Sequence, residues 1–168
     1  KRKRRNSLRL SGHDYSQPGA YFVTIITHQR ECLFGDVVDE KMQLNEYGII
    51  AQEHWLAIPH HFPNVELVLR YDANHVHGII VITDTVQAGI VGAQMLAPKF
   101  RQQRNLNVKP GSLSAIVRSY KSAVTKHIHD ADEFSPEKIW QRGFHDHIIR
   151  NEKEWRRIHL YIEANPSN

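Results

Sequence analysis

His75 and His77 flank Val76 in the run NHVHGIIVI. Residues two apart on a β-strand share a face, so both imidazoles can reach one metal ion. The same period recurs at His145 and His147, around Asp146. The first pair is the better candidate, because the apolar run 78–82 after it would anchor it in a sheet centre, and a rigid element supports a metal better. The second pair stays open as a rival, as does an ordinary polar role at a strand start. His127 and His129 are weaker, since residues two apart on a helix diverge. With one cysteine, Cys32, neither an internal disulfide nor a cysteine-rich zinc site is expected. Six tyrosines offer hydroxyls. Tyr161 falls beside an apolar stripe of Trp155, Ile158 and Ile162 at 100° per residue, one helical turn before Asn165. That boundary position suits packing as well as chemistry.

The elements that must position these groups follow from periodicity. Residues 19–28, GAYFVTIITH, read as a strand after Pro18, and 37–44 as a short hairpin beside it. Asn45 caps a helix ending near Ala57, before Pro59. Two strands follow at 65–71 and 75–83, joined by Asp72, Ala73 and Asn74. The second is apolar on both faces and hence central. Residues 84–110 lack periodicity and form a long insertion. Ser112 caps a helix with Leu113, Ile116, Val117, Tyr120, Val124 and Ile128 on its apolar face and Arg118 and Lys121 on its polar face. A strand at 139–149 precedes a last helix that starts at Asn151 and stops at Pro166. This order contains the split βαβ repeat of a ferredoxin-like α+β domain: an antiparallel sheet with helices mainly on one face.

The chain has 168 residues, 40% hydrophobic and 24% charged, which suits one domain. Its mean hydropathy of -0.52 and short apolar runs exclude a membrane-spanning helix. The basic start runs into polar residues, so no secretory leader is expected. Six of the 22 basic residues lie in the first nine positions, and without them the balance is 16 against 18, or -2. Residues 85–129 hold no Asp or Glu but hold seven Lys and Arg. Both asymmetries point to a polyanion.

HVHG on a central strand, a cationic helix and a YIEAN helix end together resemble the HUH single-strand endonucleases, and more narrowly the REP-associated tyrosine transposases. The resemblance runs through RRNSLRLSGHDYSQPGAYFVTIITHQRECLFG, LNEYG, NHVHGIIVI, GSLSAIVRSYKS and IWQRGFHDHIIRNEKEWRRIHLYIEANP. It implies a bacterial, cytoplasmic, nucleoid-associated enzyme that nicks and rejoins single-stranded hairpin DNA of the repetitive extragenic palindrome type. It also implies a basic, flexible arm at 1–18 and one transposase domain at 19–165, working as a monomer or homodimer. By the same resemblance His75 and His77 hold Mg²⁺ or Mn²⁺, Tyr161 is the nucleophile, and Asn165 stands where related enzymes carry a glutamine as third ligand. Asp72-Ala73 also departs from the usual apolar residue and proline before the metal strand.

Such chemistry needs an oxygen nucleophile and neutralisation of charge on the nonbridging phosphate oxygens. Two neutral imidazoles and an amide leave a cation open positions for that phosphate. DNA binding is expected from Arg2, Arg4 and Arg5 of the arm, Arg101 and Arg104 of the insertion, and Arg118 and Lys121. Two other functions remain compatible with the sequence: a non-catalytic ferredoxin-like nucleic-acid-binding module, and a metal-dependent nuclease that uses water.

Overall fold

Alternation in four strands places two sets of side chains on opposite faces of one sheet, and the architecture follows from what covers each face. The computed structural model describes residue 10, residues 12–84 and residues 109–164, with backbone alone at 69–71 and 163–164. Arg2, Arg4, Arg5, Arg101, Arg104 and Asn165 lie outside the described residues, as does most of the expected insertion.

Strands β1 (Gly19–Ile26), β4 (Val65–Asp72), β5 (His75–Ile82) and β6 (His145–Ile149) form an antiparallel sheet in the order β4-β5-β1-β6. Non-sequential neighbours in this order are the mark of the split βαβ arrangement, so the α+β ferredoxin-like class holds. β5 is central, as its two apolar faces require.

Helices α1 (Glu46–Leu56) and α3 (Leu113–Ala131) cover one face. There Tyr21, Val23, Val76 and Ile80 join Trp55, Val117, Tyr120 and Val124 in the larger core. A short helix, α2 (Ile58–His61), follows α1 directly. Helix α4 (Glu152–Ala164) covers the other face, where Ile158 and Ile162 meet Ile79, Phe22, Val68 and Val81. His75 and His77 share the parity of Ile79 and Val81, so they face the α4 side.

Helices α1, α3 and α4 start where the sequence provides a side-chain cap. Asn45 Oδ1 accepts from Gly48 N at 2.9 Å, Ser112 Oγ from Ala115 N at 3.4 Å and Asn151 Oδ1 from Glu154 N at 2.9 Å. Gly78 matters for a different reason. A Cβ there would lie 2.3 Å from Cζ2 of Trp55, so glycine lets the α1 indole pack closely against β5.

The structure departs from the sequence-based expectation in two places. The hairpin forms a separate sheet of β2 (Gly35–Val38) and β3 (Lys41–Leu44), joined through Asp39 and Glu40 with positive φ, and does not extend β1. Its base is tied instead to the β4–β5 turn, because Phe34 N donates to Ala73 O at 3.0 Å. β6 begins six residues later than 139, since Trp140 makes only an isolated bridge to Thr27 and Gly143 takes a φ of 81°. Within the expected arm, Tyr15 is buried and its carbonyl accepts from Leu113 N at 3.0 Å, so this stretch is docked on the body.

Candidate active site

The β4–β5 turn builds one side of the site. Ala73 and Asn74 form the tight connection, and Thr27 holds it by donating to Asn74 O from N at 3.0 Å and from Oγ1 at 2.8 Å. The turn sets Asp72 directly opposite His75 in the ladder. The sequence departure at Asp72 therefore places a carboxylate next to the histidine pair.

His75 Nε2 and His77 Nε2 lie 2.7 Å apart, and Asp72 Oδ2 is 3.0 Å from His75 Nε2. Ligand atoms of Asp72, His75 and His77 all fall within 4.8 Å of one another, and no other such group of His, Cys, Asp or Glu occurs among the described residues. The outer nitrogens are also held. His75 Nδ1 donates to Asn74 Oδ1 at 2.6 Å, which fixes the ring with Nε2 toward the other ligand atoms. His77 Nδ1 is bonded to Thr24 Oγ1 at 2.9 Å. Burial pushes the His77 pKa down to about 4, the neighbouring His75 adds to the effect and Asp72 opposes it, so the ring is neutral near pH 7. Two imidazole nitrogens and a carboxylate oxygen aimed at one point fit a divalent cation. Mg²⁺ favours all-oxygen shells, so this donor set suits Mn²⁺ at least as well.

Tyr161 comes to this cluster from α4. Ile158 and Ile162 are buried, while Tyr161 is 47% exposed at the edge of that stripe. Its ring lies 5.7 Å from the His77 ring and 6.3 Å from that of Phe22, which itself stacks on His77 at 5.3 Å. Tyr21 and Tyr120 are core residues, and the Tyr120 hydroxyl donates to Ala51 O at 3.2 Å.

The rival histidines lie on the same sheet face but are exposed on the edge strand. His147 Nε2 is 2.6 Å from Glu154 Oε1, and the other Glu154 oxygen accepts from Arg150 N at 2.9 Å. Those bonds hold the Glu154 carboxyl below its usual range. His147 thereby ties the start of α4 to the sheet, and neither histidine belongs to a ligand cluster among the described residues. His127 and His129 diverge as expected, His127 toward His54 and His129 toward Pro136 O.

On α3, Arg118 is exposed. Lys121 is turned toward the 140–144 segment: its ammonium donates to Gln141 O at 2.7 Å and Gly143 O at 3.0 Å, and burial pushes its pKa down to about 8. Sequence reasoning did not include Asp72, Thr24, Asn74 or Phe22 in the site. The available signal was a pair of flanking residues, Asp72 and His75, closing a two-residue turn.

The fold is similar to that of a REP-associated tyrosine transposase. The transposase of that name solved bound to a REP hairpin superposes with a TM-score of 0.61 at 18% identity, over 94% of this chain and 72% of that one. A protein of Haemophilus influenzae, described as uncharacterized, is 36% identical over 166 residues, covering 96% of this chain and 88% of its own length. This chain belongs to the same family as that protein. No family model matches the sequence. Among the described residues no helix is long and apolar enough to cross a membrane.

Proposed function

We propose that this protein is a metal-dependent tyrosine transposase that nicks and rejoins single-stranded hairpin DNA of the REP type. The observation that carries the reading is the Tyr161 ring set beside His77, within a cluster whose three ligand atoms converge. Tyr161 Oη attacks the scissile phosphorus in line. The P–O3′ bond breaks, the departing 3′ oxygen takes up a proton, and the 5′ phosphate remains esterified to the tyrosine. A divalent cation held by His75, His77 and Asp72 would supply Lewis-acid charge for the nonbridging oxygens. Asn74 and Thr24 keep the imidazoles aimed. Asn165, four residues after Tyr161 in the sequence, is a further ligand candidate. Because the bond energy is retained in the tyrosyl ester, a 3′-hydroxyl can attack it and restore a phosphodiester, with Tyr161 leaving.

Arg2, Arg4, Arg5, Arg101, Arg104 and Arg118 track the phosphates, and Lys121 adds positive charge while tied to the backbone. One chain brings Tyr161 and the histidines together, so a single copy supplies both. The test is incubation of the full chain with a labelled REP-type hairpin carrying single-stranded flanks, in Mn²⁺ or in EDTA. Cutting in Mn²⁺ alone, with label bound covalently to protein, is the expected result. Cutting without an adduct would assign a water-using nuclease instead, and binding without cutting a non-catalytic module.

A further inference from the structure

A groove of about 800 Å³ runs between α3 and the 140–144 segment. Val117, Trp140 and Phe144 form its apolar lining, Arg118, Lys121, Lys126 and Arg142 its charged lining, and among the described residues no carboxylate lines it. Two of the cations are occupied. Lys126 is paired with Asp130, and Lys121 donates to the carbonyls of Gln141 and Gly143. Those Lys121 bonds keep the far wall at a fixed distance from the helix. Arg118 and Arg142 are exposed and form no ion pair among the described residues. Trp140 is set in place from beneath, its indole N–H donating to Lys121 O at 3.2 Å.

The groove lies on the α3 face of the sheet and reaches the β6 edge, while His75 and His77 lie on the α4 face beyond that edge. Phe144 is followed by His145, the first residue of β6, whose ladder partner on β1 is Thr24. Thr24 is in turn opposite His77 on β5. Directly opposed residues share a face, so His145, Thr24 and His77 form a row across three strands on the α4 face, whereas Phe144 packs with the core on the α3 face. A strand leaving the groove must therefore round the β6 edge to reach the histidines.

We propose that this groove holds the single-stranded flank of the hairpin substrate and carries it around the β6 edge to the His75, His77 and Tyr161 site. The inference rests on the function proposed above and names the part of the DNA that the second surface takes. A cationic groove with an aromatic floor is how proteins hold unpaired strands: phosphates meet the charges and bases meet the rings. The groove's volume of about 800 Å³ is that of a pocket for a few unpaired nucleotides.

The experiment measures binding of the full chain and of an Arg118→Glu, Arg142→Glu double variant to two fluorescent hairpins, one with a single-stranded flank and one trimmed to its stem and loop. Both arginines are exposed, so the variant should melt like the wild type and bind Mn²⁺ equally. The flanked hairpin should bind the variant at least about tenfold more weakly, with the salt slope reduced by about 1 to 2, while the trimmed hairpin changes by less than about twofold. Equal weakening of both probes would assign the groove to the stem and overturn the proposal, as would no weakening of either. Failure of the wild type to bind either probe would overturn the proposed function itself.

Discussion

The ring of Tyr161 stands edge-on to the ring of His77, 5.7 Å between centroids and 72° between planes, although the two residues come from a helix and a strand 84 positions apart. The aromatic ring makes this packing, so the hydroxyl is free to serve a different purpose. Tyr161→Phe should keep the fold, with melting within about 2 °C, and retain hairpin affinity. Cleavage and the covalent adduct should fall by on the order of a thousandfold or more. A phosphotyrosyl peptide containing any other tyrosine, found by mass spectrometry of a trapped complex, would refute the assignment.

Metal affinity should follow the geometry of the cluster. His75→Ala or His77→Ala should abolish Mn²⁺ binding in calorimetry while leaving hairpin binding within a few-fold. Asp72→Ala should weaken it strongly, and Thr24→Val, which removes the hydroxyl beside His77 Nδ1, by about 10- to 100-fold. Wild-type affinity in Asp72→Ala would remove the carboxylate from the ligand set.

Gly78→Ala tests the packing behind the site. The added methyl meets the Trp55 indole at 2.3 Å and Val68 O at 3.1 Å, so overpacking should cost about 1 to 3 kcal/mol in urea unfolding. An unchanged midpoint would show that the indole moves aside at no cost.

Lys121 makes a prediction about pH. Its pKa is lowered to about 8 in the folded protein by burial, against 10.5 in an unfolded chain. Between those values the unfolded chain holds the proton that the folded one has released, so raising the pH favours folding. The stability of the wild type relative to Lys121→Met should therefore rise from pH 8 to pH 10.5, and urea titrations at both ends would measure it. A relative stability that falls over this window would contradict the burial of the ammonium.

Deletion of residues 1–5, all basic, should weaken binding across DNA sequences alike and flatten its salt dependence, by about 0.7 to 0.9 in the logarithmic slope for each phosphate that is no longer neutralised. Salt titration of hairpin binding would read this. An unchanged slope would remove the segment from the DNA-binding surface.

Local periodicity was enough to place His75 and His77 on one strand face, to make β5 central, and to set Tyr161 at the margin of an apolar helical stripe. Strand alternation and helical repeat are properties of neighbouring residues, so the chain carries them without reference to anything distant. The caps at Asn45, Ser112 and Asn151 were legible for the same reason. Spacing alone does not separate the two histidine pairs, because 75/77 and 145/147 have identical spacing, although the apolar run after His77 favours the first. Strand pairing adds what the sequence does not show: β5 lies in the centre beside Asp72, its register partner, whereas β6 is an edge whose His147 is taken by Glu154. Docking of α4 on the histidine face brought Tyr161 to His77, and the inward turn of Lys121 made a wall from a residue that reads as solvated. A helical pattern states which side is apolar but not which sheet face it will cover, and the identity of that partner is set only when long-range packing closes both cores.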